Sequence, residues 1–115
     1  MYKRQGLQEQ TTALNTRLVQ MTREAVGDQI LIGGDMSPTG AFVEPFGDMD
    51  FEQAVQIYAE QAKALAEAGV DFFIIETMLD LQEARAAVLG VKQASNLPVC
   101  VTMTFDAVSY THLLV

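Results

Sequence analysis

Apolar residues recur along the chain with two alternating rhythms. From Thr11 to Val26, Leu14, Leu18, Met21 and Ala25 return every three or four positions, which predicts an amphipathic helix ended by Gly27-Asp28. Gln29 to Gly34 is a short apolar run of the kind expected of a buried strand. A loop from Asp35 to Asp48 follows, carrying Pro38 and Pro45. Asp50 with Gln53 three residues on reads as a helix start. That helix runs to about Ala68 with Phe51, Ala54, Val55, Tyr58, Ala62 and Leu65 on one side, and Gly69 stops it. Val70 to Glu76 is the second apolar run. Asp80 with Glu83 repeats the capping pattern for a helix over Leu81 to Ala94, and Asn96-Leu97-Pro98 breaks it before a third strand, Val99 to Thr104.

Helices alternating with strands that are apolar on both faces predict an α/β fold with parallel strands and right-handed crossovers. The strands recur at intervals of roughly 30 to 40 residues, a spacing that suits both an eight-stranded β/α barrel and an open doubly wound sheet. Three strands cannot close a barrel, so the pattern reads as part of one, or else as a small open sheet with two bare edges.

Composition narrows the function. In 115 residues, half are hydrophobic and 19% charged, which fits one domain with a buried core. Fifteen acidic against seven basic residues leave a net charge of −8, which disfavours nucleic acid and anionic membrane surfaces as partners. No apolar run approaches the roughly 20 residues of a membrane span. The N-terminal residues lack the apolar stretch of a secretory leader, and the single cysteine excludes an internal disulfide, so the expected location is the cytoplasm.

In parallel α/β folds ligands gather at the carboxyl ends of the strands. The residues expected there are Asp35-Met36-Ser37, Glu76-Thr77-Met78 and Thr104-Phe105-Asp106, an acidic group after each strand. Such carboxylates could hold an amine, a hydroxyl or a metal, or could merely cap the helices that follow. Glu76 is the strongest candidate: five apolar residues precede it, Asp80 is already available as a cap, and a buried carboxylate needs a partner. The methionines Met36, Met78 and Met103 are expected to fill core, or to wall an apolar pocket.

Other motifs fail on spacing. Gly33 to Gly40 has neither the glycine pattern of a dinucleotide fingerprint nor the Gly-Lys-Ser/Thr of a phosphate loop, and reads as a turn at Ser37-Pro38-Thr39-Gly40. Asp48, Asp50 and Glu52 lack the glycine and glutamate that complete a calcium loop. Cys100 and the lone His112 make neither a zinc site nor a nucleophile–histidine arrangement, and Cys100 is expected to be a small core residue.

Several segments together resemble the homocysteine S-methyltransferase family, in particular the homocysteine-binding barrel of cobalamin-dependent methionine synthase and its free-standing relatives. They are Gly34-Asp35-Met36-Ser37-Pro38-Thr39-Gly40, Glu44-Pro45-Phe46-Gly47, Gly69 through Glu76-Thr77, and Met103-Thr104-Phe105-Asp106. The likeness runs from Gly6 to Asp106 and implies a partial (β/α)8 TIM barrel of about three β/α units. Residues 6–106 would be the central part of the domain, and residues 1–5 and 107–115, which bear no likeness, would be non-native ends.

The resemblance implies methyl transfer to the thiol of homocysteine to give methionine. The substrates would be homocysteine and a methyl donor, with zinc activating the thiol and cobalamin and methyltetrahydrofolate as further cofactors of some members. It places Glu76 on the substrate ammonium and gives Asp35 and Ser37 lesser substrate-binding roles on the rim; Asp106 is given no direct contact. The family's three zinc-binding cysteines would lie beyond Val115 and its glycine-rich first strand end before the start, so this segment alone is expected to be inactive. Two other readings of the residues stand beside it. One is a magnesium- or manganese-dependent barrel enzyme using Asp35, Glu76 and Asp106; the other is a non-enzymatic α/β binding module.

Overall fold

The computed structural model of the chain describes residues 6 and 8–105. Three helices and three strands alternate: α1 (Thr11–Val26), β1 (Gly33–Met36), α2 (Phe51–Ala68), β2 (Phe72–Met78), α3 (Leu81–Ala94) and β3 (Val99–Met103). A short 3-10 turn, Gln8–Gln10, leads into α1. The strands form one parallel sheet in the order β1-β2-β3. This is the alternating parallel α/β architecture expected of a part of a (β/α)8 fold.

All three helices span the residues their periodicity predicts, and the caps explain why. Asp50 accepts from the Gln53 N–H at 3.0 Å, and Gly69 ends α2 in the left-handed region at φ 98°. Asp80 caps α3 by accepting from Gln82 N–H at 2.8 Å. Helices α2 and α3 lie side by side over one face of the sheet, and α1 packs against α2. The core fills the space between: Met36, Tyr58, Phe73, Ile75, Met78 and Val91 are fully enclosed. Two of the three rim methionines, Met36 and Met78, are therefore core residues, and Met103 is half-buried against the same cluster.

The first two strands begin later than their apolar runs suggest, while β3 starts at Val99 as expected. Ile30 and Leu31 are exposed, and their stretch of backbone is held by side chains. Arg23 donates to the Ile30 carbonyl at 2.9 Å, while Ile32 N–H donates to the Asp71 carboxylate at 2.7 Å. Ladder pairing starts only at Gly33 opposite Phe72. An apolar run does not distinguish a strand from the segment leading into it; the positions of the partners do. The second strand likewise shifts two residues towards its carboxyl end and runs on through Thr77 and Met78.

α1 departs from its predicted apolar stripe. It buries Thr11, Asn15 and Val19, and leaves Leu18 and Met21 half-exposed. Its buried face is the one that meets α2. Leu18 and the buried Thr11, Asn15 and Val19 together line a groove of about 490 Å³ that runs beside β1, between α1 and α2, whereas Met21 takes no part in it.

Candidate functional site

Side chains alternate across a pleated strand, which divides the sheet residues into two sets. Gly34, Met36, Phe73 and Ile75 face the helices and are enclosed. Gly33, Asp35, Phe72, Ile74, Glu76, Cys100 and Thr102 belong to the opposite face, which no helix of the described residues covers. Asp35 is paired with Ile74, and Ile74 with Cys100. Cys100 is thus exposed rather than a core residue, because alternation assigns it to the bare face.

The structure brings Asp35, Ser37 and Glu76 together at one end of this face. Asp35 lies within β1, as the third of its four residues, rather than after it, and is exposed. Ser37 follows the strand directly. Met36 and Ile75 form the last pair between β1 and β2, so Ser37, just past β1, and Glu76 on β2 are the residues that follow it. Glu76 is half-buried. Neither the Asp35 nor the Glu76 carboxylate has a hydrogen-bond or ion-pair partner among the described residues. Asp106 lies outside the described residues.

The electrostatics of this rim have one sign. Every described Lys and Arg is on a helix: Arg17 and Arg23 on α1, Lys63 on α2, Arg85 and Lys92 on α3. Two carboxylates on a sheet face that bears no cation among the described residues favour a ligand that carries its own positive charge. Beyond Glu76 the backbone is strained. Thr77, a β-branched residue, sits at φ 61°, where β2 and β3 fall out of register, and its N–H donates to Thr102 Oγ1 at 3.1 Å. Strain of this kind collects at sites where the backbone is held for a purpose other than stability.

The loop from Ser37 to Met49 walls the rim and hangs from α3. Glu83, predicted as half of a capping pair, turns away from its own helix end. Its Oε1 accepts from Thr39 N–H at 2.7 Å, from Thr39 Oγ1 at 2.6 Å and from the Tyr58 hydroxyl at 3.0 Å. Asp80 accepts from Val43 N–H at 2.8 Å with the oxygen not used for capping. Burial and the adjacent Glu83 carboxylate push the Tyr58 phenol well above its ordinary value, so it remains a donor. Sequence spacing concealed Glu83, because an acidic residue three positions after an acidic cap looks like part of the cap.

The residues present do not make a zinc site. A thiolate-type site needs three or four ligands. The chain has one cysteine, and no group of three or more His, Cys, Asp or Glu among the described residues could hold a metal. Nor is any helix among them long and apolar enough to cross a membrane.

A parallel sheet whose strands alternate with helices, with carboxylates at its carboxyl rim, places the chain in the class of β/α proteins. Within that class the chain belongs to the homocysteine S-methyltransferase family, which it matches over residues 1–114. The matched span runs into both ends, where none of the recognised motifs lies.

Proposed function

We propose that residues 6–106 are the central part of a homocysteine-binding (β/α)8 domain, and that Glu76 receives the ammonium group of homocysteine. The observation that carries this reading is the half-buried Glu76 carboxylate at a strand end, with no partner and no cation on its sheet face among the described residues. A carboxylate so placed stabilises a charged donor by about 1.5–3 kcal/mol. Asp35 adds negative potential beside it, and Ser37 offers a hydroxyl at the next register position. The reaction forms a bond between sulfur and the transferred methyl, while the thiol loses its proton and the donor leaves. This segment orients the amino-acid end of the acceptor. None of the described residues is given the part of ionising the thiol, because no group of three or more possible metal ligands gathers around Cys100 among them. Among the described residues one face of the sheet carries no helix and no strand pairs with the outer edges of β1 and β3, which supports a larger closed sheet.

The test uses the intact polypeptide to which this segment belongs. Glu76→Gln is expected to raise the KM for homocysteine about 10- to 100-fold. It should leave transfer to 4-mercaptobutanoate, the same thiol acid without the amino group, unaltered. An unchanged homocysteine KM would remove Glu76 from the site.

A further inference from the structure

Glu83 is the most deeply enclosed carboxylate among the described residues, at 3% exposure, and it is placed against convention for its position. It lies in the first turn of α3, where an acidic side chain ordinarily serves the helix's own N–H groups. Asp80 already does this. Glu83 instead reaches across to the loop that leaves β1, and a single oxygen collects three donors: the backbone and hydroxyl of Thr39, and the hydroxyl of Tyr58 on α2. The Tyr58 hydroxyl also lies 3.2 Å from the Ser37 carbonyl. Thr39 Oγ1 in turn accepts from Ala41 N–H at 3.2 Å. Thr39 is therefore tied directly to the carboxylate, while Ser37, on the other side of Pro38, meets it only through the Tyr58 hydroxyl.

Stability does not call for such a cluster. Taking a carboxylate out of water is costly, and apolar side chains of the same volume commonly serve a core as well or better. What the cluster specifies is position. The loop's distal part has its own bonds, Glu44 N–H to the Met49 carbonyl at 3.0 Å and Met49 N–H to the Phe42 carbonyl at 3.2 Å, and Asp80 suspends it through Val43. Glu83 secures the proximal part, which carries Ser37 directly onto the rim. Both anchors come from the start of α3, Asp80 two and Glu83 five residues beyond the end of β2. The β1 loop and the strand end bearing Glu76 are thus bound to one element.

We propose that Glu83, acting through Thr39 and Tyr58, is a positioning residue that sets the Ser37–Thr39 wall of the substrate site relative to Glu76. This inference rests on the substrate-site reading above. The experiment measures homocysteine KM, kcat and melting temperature for Glu83→Ala, Glu83→Gln and Thr39→Val in the intact polypeptide, beside Glu76→Gln. Glu83→Ala and Thr39→Val are expected to raise KM about tenfold, the loss of roughly one hydrogen bond's effect on site geometry, with kcat within about twofold. Glu83→Gln, which keeps an acceptor oxygen for the same donors, is expected to recover most of that KM. A role in stability alone would lower the melting temperature with KM unmoved. That outcome, together with a raised KM in Glu76→Gln, would overturn the positioning role and leave the site reading intact. A KM unmoved in all variants would overturn both. Should Glu83→Ala fail to fold, Thr39→Val, at a half-buried loop position, decides the question by the same readings.

Discussion

Asp71 shows how one side chain can stand for a whole piece of architecture. It follows Gly69-Val70 at the entry to β2, on the rim opposite the candidate site. Its Oδ2 accepts from Ile32 N–H and from Arg23, each at 2.7 Å. Arg23 also reaches the carbonyls of Gly27, Ile30 and Gly69. The Ile32 amide first, and the Arg23 guanidinium second, hold the Asp71 carboxyl below its ordinary value. A lowered folded value means the stabilisation is fully present above the unfolded carboxyl's range and is lost as pH falls through the lower folded value. The stability difference between wild type and Asp71→Asn, measured by urea unfolding of the intact polypeptide, should be level from pH 7 down to about pH 5 and shrink below about pH 4. A difference that stayed constant to pH 2 would contradict this account. The carboxylate was legible in the sequence only as an interruption of an apolar run. Its partner lies 48 positions earlier, beyond the reach of any local pattern.

At the scale of elements, periodicity and caps carried the helices. Asp50, Gly69 and Asp80 punctuate the chain where the structure does, because each answers a local need of the helix ends. Packing between helices is another matter. Gly90 sits mid-helix in α3, where alanine would ordinarily favour the helix by about 1 kcal/mol. A Cβ there would lie 2.7 Å from both Ala59 N and Val55 O of α2, and 2.9 Å from Tyr58 Cβ. Two of these three atoms are backbone and cannot turn aside, so α2 and α3 would have to separate. Gly90→Ala is expected to destabilise the protein by about 1–3 kcal/mol, seen as a fall of several degrees in melting temperature. A rise would show that the helices yield freely. The displaced strand boundaries have a related cause: an apolar residue before a strand and one inside it look alike until the partner strand is in place.

For the molecule as a whole, surface left uncovered matters as much as the core. Ile30, Leu31, Phe42, Phe46, Leu79 and Leu81 are all more than half exposed. The outer edges of β1 and β3 are unpaired, and the sheet's second face is bare among the described residues. Unpaired parallel edges and exposed apolar groups promote association. Residues 1–115 prepared by themselves are expected to sediment as a concentration-dependent mixture of oligomers, and a monomer with a sharp thermal transition would contradict that expectation.

The order, type and direction of the elements were determined by the sequence itself, since periodicity, capping residues and glycine stops act over a few residues. So was the family, through motifs that lie at the strand ends. Tertiary structure alone decided the rest. It set which face of β3 carries Cys100 and where pairing begins at Gly33 and Phe72. It also turned Glu83 from a helix end to a loop 44 positions earlier. Each of these depends on a partner far along the chain, and such partners are chosen by packing geometry rather than by the residues next door.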